Sequence, residues 1–299
     1  MNKSQSKRVK ILNSAKQLFL EQGYKSTSIQ SIATEAGISK GAVYLYFKSK
    51  ESILLSIFRM LEDKVWQQIK AIDSDSSLSP REKYRRHILT FHNEVTENLQ
   101  FNQMMLSESG VELNEAFFNY AREYRYKLQK VQEATLLSIY GEQLLPWLSD
   151  VVISVGGIMQ EFDTSIVLDN LTFDSEELAD YIVHVTDFIV AGVVKAKTKP
   201  LFKEENIQIR EAFLEKLKDD KLVAIEESMD EIARLCEETI TTKENQQMLQ
   251  ETITMIKDAL LEESLNKTLL KGLLNNLDLS PELKSAKFEF AELIGLKLN

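Results

Sequence analysis

Hydrophobic positions recur every three or four residues through most of this chain. Ile29, Ile32, Ala33 and Ala36 fall on one helical face; Leu222, Ile225, Met229, Ile232 and Cys236 step the same way, as do Leu249, Ile253, Ile256 and Leu260. The pattern predicts helices near residues 6–22, 28–35, 39–46, 49–72, 80–98, 100–109, 112–140, 146–164 and 174–197, with several more to the end. Turn chemistry is sparse, with four prolines and ten glycines in 299 residues. The prolines stand where helices begin or break, because proline lacks the N–H that a helix interior needs but fits its first turn. Ser79-Pro80-Arg81-Glu82 is the sharpest start signal, and Ser280-Pro281-Glu282 repeats its opening. Polar TTKENQQ separates the two apolar stripes of the tail, which predicts two amphipathic helices joined by a bend, a helical hairpin rather than one coiled coil. LLKGLLNNLDLSPELK then starts another short helical pair.

Within this helical frame one segment has its own punctuation. Thr27 followed by Gln30 reads as a capping box that starts a short helix at Ser28. Gly37 can take the left-handed conformation that ends it, and Ser39 caps a second short helix with Val43 and Phe47 on its inner face. Ala33, Gly37 and Val43 stand at the offsets of a helix-turn-helix: a small residue where helices cross, a glycine in the turn, a branched residue locking the second helix. Such a unit places its second helix in the DNA major groove.

Charge changes the picture in the same direction. Residues 1–50 carry nine Lys and Arg against two Asp and Glu, in a chain of net charge −10. Residues 51–200 hold 14 basic and 23 acidic side chains, and residues 201–299 hold 13 and 21. A basic head on an acidic chain points to a polyanion bound at the head, with the acidic tail expected to lie away from DNA phosphates. A single Lys40 or Lys48 would read as a solvated surface lysine, and Tyr44 or Phe47 as core. Their joint spacing with the caps and the turn glycine is what favours DNA.

Gly23-Tyr24 followed by TSIQSIATEAGISKGAVYLYFKSKESIL closely resembles the N-terminal DNA-binding domain of the TetR (tetracycline-repressor) family. The strong resemblance covers residues 6 to about 60, and a weaker match of helix order runs to about 199. It implies that Thr27, Ser28 and Ser39 meet phosphates, that Lys40, Gly41 and Tyr46 approach bases or backbone, and that Tyr44 and Lys50 grip the sugar-phosphate chain, with Lys48 beside them. Leu45 departs from the polar or aromatic residue often found there and offers only apolar contact, as to a thymine methyl.

The expected architecture is all-α: a helix-turn-helix DNA-binding domain over residues 1–50, whose next helix links onward to about 72, an effector-binding and dimerisation domain over 51–199, and a C-terminal helical extension over 200–299. Phe101, Met104, Met105, Glu108, Phe117, Tyr120 and Tyr124 could line the small-molecule effector pocket that the resemblance implies, although such a stripe is also ordinary core. Gly156, Gly157 and Gly192 lie in apolar helices, where glycine costs about 1 kcal/mol against alanine. They suggest close backbone approach, within the chain or across the homodimer interface that the family forms at this position.

Other chemistry is thin. His87 and His92 are five apart and share no helix face, His184 is remote, and no phosphate loop or nucleophile motif appears. No catalytic residue, metal site or cofactor is expected. Cys236 is the only cysteine, which excludes an intrachain disulfide and suits a reducing cytoplasm. MNKSQSKRVK has no apolar core behind its charges and does not read as a secretory signal. The apolar stretches near 144–159 and 181–196 look too short and interrupted to span a bilayer. The sequence therefore reads as a cytoplasmic transcription regulator, a repressor released by a largely apolar effector. The alternative is a DNA-bound interaction or architectural protein of the same fold, its tail recruiting a protein.

Overall fold

A computed structural model describes residues 3–107, 115–260, 266–296 and 298, and no strand occurs among them. The helices are α1 (Lys3–Gln22), α2 (Ile29–Glu35), α3 (Lys40–Tyr44), α4 (Lys50–Ser74), α5 (Pro80–Glu97), α6 (Leu99–Ser107), α7 (Glu115–Tyr140), α8 (Leu148–Asp169), α9 (Ser175–Ala196), α10 (Glu204–Thr239), α11 (Lys243–Leu260), α12 (Lys267–Asn275) and α13 (Pro281–Leu293). A 3-10 turn, Glu142–Trp147, holds Pro146 and leads into α8. The helices divide into two compact units. One comprises residues 1–22, 26–56 and 213–299; the other comprises 23–25 and 57–212.

In the first unit, α1 packs on α2 and α2 on α3. Ile11, Leu12, Ala15, Phe19, Ile32, Ala33, Val43 and Phe47 are buried there. Both short helices start on serine caps. The Ser28 side chain accepts from the Ser31 N–H while the Ser31 hydroxyl takes the Ser28 N–H, and Ser39 accepts from the Ala42 N–H at 3.1 Å. The capping box is therefore Ser28/Ser31, one residue later than the Thr27/Gln30 pair expected. Thr27 sits inside, 1% exposed, where its hydroxyl donates to the Leu18 carbonyl and accepts from Gln22. Gly37 turns the chain at φ +62°.

From residue 213 onward the tail belongs to this unit. In α10 the stripe is buried from Met229 through Ile232 to Cys236, while Leu222 is exposed. Beyond the bend, Leu249, Ile253 and Ile256 of α11 are buried and α11 packs on α12. Ser280 caps α13, whose Leu283, Ala286, Phe288, Phe290 and Ala291 are all buried. The division at residue 200 thus differs from the grouping observed, in which the last 87 residues share a compact unit with the basic head. An acidic tail is repelled by DNA phosphates, but in the free chain it is attracted to the head's own positive charge.

In the second unit α5 packs against α7 and α9, and α8 against α7 and α9. Tyr84, Ile88, Leu136, Leu144, Val151, Val155, Ile182 and Val190 form the core. Buried Tyr84 donates to Thr186 at 3.0 Å, and desolvation pushes its pKa up to about 12. Arg81 pairs with Asp187, and Arg85 with Asp180 and Glu176, which ties α5 to α9. Contrary to the sequence expectation, one described stretch, Glu142–Asp169, is long and apolar enough by length and composition to cross a bilayer. Within it Val151, Val152 and Val155 pack in this core, and Asp150 accepts the backbone N–H groups of Leu201 and Phe202.

Candidate nucleic-acid interface and aromatic cluster

The helix-turn-helix sorts the expected DNA-facing residues into two groups. Ser28, Ser39, Lys40, Gly41, Tyr44 and Lys48 are exposed, and Lys40 reaches over the Tyr44 ring, its Nζ 6.0 Å from the centroid. No atom lies within 4 Å of where a Cβ on Gly41 would stand, so the start of α3 presents open backbone. This edge can meet a duplex without rearrangement. The other group faces inward. Thr27 is buried as described, and the Lys50 ammonium donates to the Thr27 carbonyl at 2.8 Å, so both brace the turn in the free protein. Tyr46 is 6% exposed and packs its ring on Phe288 of α13; Leu45, the C-terminal cap of α3, is half-buried. A phosphate-gripping role for Thr27 or a base-directed role for Tyr46 conflicts with this burial. Spacing along the chain could not separate the groups, because a five-residue helix has too few turns to define its inner face alone.

Of the expected effector residues, Phe101, Phe117, Tyr120 and Tyr124 gather in one aromatic cluster of the second unit. Phe101 is buried, and Phe117, Tyr120 and Tyr124 line one side of α7 at a three- and four-residue step. Met104 and Met105 are half-buried on α6. Glu108 lies outside the described residues. The centre of the cluster is Phe58 of α4, which was not singled out: its ring centroid lies 5.4 Å from Phe101, 5.3 Å from Phe117 and 6.2 Å from Tyr120. Trp66 adds edge contacts to Tyr124 and Phe91. Phe58, Glu62 and Trp66 are four apart on α4, a helical stripe that sequence reasoning passed over.

Glu62 is the polar centre of this wall. It is 8% exposed and accepts from Trp66 Nε1 at 2.8 Å and from Lys127 Nζ at 2.9 Å. Burial first, and the carboxylates Glu62 and Glu94 after it, raise the Tyr120 and Tyr124 pKa values well above the phenol range. Both phenols stay protonated as donors. Such a wall is largely apolar with a few fixed polar groups, which suits a small organic ligand. A separate groove of about 440 Å³ lies between the α4–α5 connection and α7, lined by Asp73, Leu78, Pro80, Lys83, Lys130, Val131 and Thr135 among others. No sequence motif pointed to it.

The expected interface glycines face open space where a side chain would stand. Around Gly156, Gly157 and Gly192, among the described residues, no atom beyond the chain neighbours and the helix's own backbone lies within 4 Å of a built Cβ, so packing among these residues does not account for them. On α9 the same face exposes Tyr181 and Phe188, the latter 75% exposed. Cys236 is buried and its thiol is pushed up to about 11, which is the environment of an inert core residue.

Comparison with known proteins agrees with this geometry. Residues 11–57 match the family model described as bacterial regulatory proteins, tetR family. The uncharacterized HTH-type transcriptional regulator YuxN of Bacillus subtilis (strain 168) is 29% identical over 267 residues, covering 89% of this chain and 90% of that protein. YerO of the same organism, named in the same way, is 27% identical over 273 residues, covering 91% and 89%. A solved transcriptional-regulator structure from Pseudomonas aeruginosa PAO1 superposes with a TM-score of 0.54 at 14% identity, over 63% of this chain and 92% of that one, and shares its fold. The matched segment, with its second short helix capped and exposed, is thus a DNA-binding domain of the kind described by the tetR family model, and the chain, similar to HTH-type regulators over about nine-tenths of its length, is a DNA-binding transcriptional regulator.

Proposed function

We propose that the protein is a cytoplasmic, homodimeric repressor that leaves its operator when a small, largely apolar effector enters the cluster around Phe58. The observation carrying this reading is the gathering of Phe58, Phe101, Phe117, Tyr120, Tyr124 and Trp66 around the buried Glu62 carboxylate, which Lys127 meets from the solvent side. A core built only for stability gains little from a buried carboxylate, whose desolvation offsets much of its attraction to a partner. A ligand site uses the same groups to orient a polar end against an apolar wall.

Dimerisation is supported by the open glycines and exposed aromatic rings of α8 and α9. One short recognition helix reads few base pairs, so two copies on a palindrome supply the specificity. The effector acts only through its differential affinity for DNA-competent and DNA-incompetent dimers.

The test is to map the operator by genomic footprinting, then titrate the operator complex with apolar acids, alcohols and cationic organic compounds. Release by one class, lost in Phe58→Ala but retained in Ala134→Met, a substitution at a further residue lining the 440 Å³ groove, is the expected result. An operator complex indifferent to every ligand would favour the architectural reading, in which exposed Ile209 and Leu222 of α10 meet a protein.

A further inference from the structure

We propose that α13 is a working part of the DNA-reading head, with Phe288 and Glu292 as positioning residues for the recognition helix. The proposal rests on DNA recognition by α3 and adds a second element to it.

One face of α13 carries Ser285, Phe288, Glu289 and Glu292, spaced three, four and seven residues from the first. Each meets the end of α3 or what lies directly behind it. The Ser285 hydroxyl donates to the Tyr44 carbonyl at 3.5 Å, at the carbonyl end of the recognition helix. Phe288 packs on Tyr46 with ring centroids 5.0 Å apart. Glu289 pairs with Lys48. Glu292 accepts from Ser56 at 2.7 Å through one oxygen and from Arg8 at 3.2 Å through the other. Arg8 in turn donates to Ser56 and lies over the Phe47 ring, 5.0 Å from its centroid. A network from α1, α4 and α13 therefore closes behind the turn that ends α3.

The reading helix needs this support. With five residues, Lys40–Tyr44, it is too short to hold its own geometry, because a helix of one turn has scarcely formed its first hydrogen bonds. Its orientation is set by what its C-terminal turn packs against, and Tyr46 and Phe47 are the large side chains of that turn. α13 covers one of them directly and the other through Arg8. It leaves Lys40, Gly41 and the Tyr44 ring exposed, so it braces the helix without covering the edge that meets DNA. Glu289 takes up part of the Lys48 charge, which shifts weight from nonspecific phosphate attraction to placement of the base-reading edge.

The experiment uses the full chain. Phe288→Ala, Glu292→Gln and, as a control, Leu270→Ala, which removes a buried side chain from α12, are compared for affinity to the footprinted operator and to a scrambled duplex, alongside their melting temperatures. Phe288→Ala and Glu292→Gln should lower the ratio of operator to scrambled affinity by about tenfold, the scale of one base-directed contact. Leu270→Ala should melt earlier with the ratio unchanged. Should the ratio stay within about twofold of the parent in the folded Glu292→Gln protein, or fall equally in Leu270→Ala, the tail contributes stability alone. A rise in operator affinity on Phe288→Ala would make α13 a brake on binding, and positioning would be wrong.

Discussion

The rings of Phe288 and Tyr46 lie 5.0 Å apart, centroid to centroid, and each residue is only about 6% exposed. They are 242 residues apart in the sequence, yet each packs directly against the other. Tyr46, placed on the DNA-facing side by resemblance, is thereby a packing residue in the free protein.

Phe288→Ala should accordingly destabilise the first unit by about 3–5 kcal/mol, the usual loss for a buried phenylalanine. Urea unfolding followed by far-ultraviolet circular dichroism measures it. A loss below about 1 kcal/mol would mean that α13 peels from the head in solution.

Lys40 and Thr27 should behave differently on DNA. Lys40 is exposed at the start of α3, so Lys40→Ala should reduce the slope of log affinity against log salt by about one. Thr27 is buried on the Leu18 carbonyl, so Thr27→Val should leave that slope unchanged while lowering stability by about 1 kcal/mol. Fluorescence anisotropy at several salt concentrations separates them, and an equal drop in slope for both would return Thr27 to the phosphate-binding set.

Leucine at Gly156 or Gly192 tests the dimer. Among the described residues nothing outside the chain neighbours and the helix's own backbone stands within 4 Å of either Cβ position, so the subunit should accept the larger residue, and its helices should gain up to about 1 kcal/mol by losing a glycine. Overpacking across a subunit interface costs about 1–3 kcal/mol. Sedimentation should find weaker dimers with melting of the isolated subunit unchanged or higher; unchanged dimer affinity for both variants would move the interface away from α8 and α9.

His87 predicts a pH effect on stability. It is buried against the Asp73 side of α5, and desolvation lowers its pKa below 6.5, a shift that the Asp73 carboxylate opposes without reversing. Below pH 6.5 the unfolded chain takes up a proton that the folded chain resists, so stability present at pH 7 should decline as the pH falls from 6.5 through the folded value. Replacing His87 with Gln should flatten the dependence of the melting temperature between pH 7 and 5. Parent and variant losing stability equally in that window would assign the effect elsewhere.

Local chemistry along the chain determined much of this protein. Apolar spacing and serine, proline and glycine punctuation locate its helices, because caps and turns act over three or four residues. The helix-turn-helix is legible for the same reason, as are the converging rings on α7. Tertiary packing alone decided which side of a five-residue helix faces out, that Thr27 and Tyr46 turn inward, and that Phe58 and Glu62 centre the aromatic cluster. It also decided the place of the tail. Net charge said that residues 201–299 would avoid phosphate, but charge has no address: the same acidity that repels DNA lets Glu289 and Glu292 pair with Lys48 and Arg8 of the head. A partner so distant in sequence leaves no periodicity to read, since burial of Phe288 becomes visible only when both surfaces are folded.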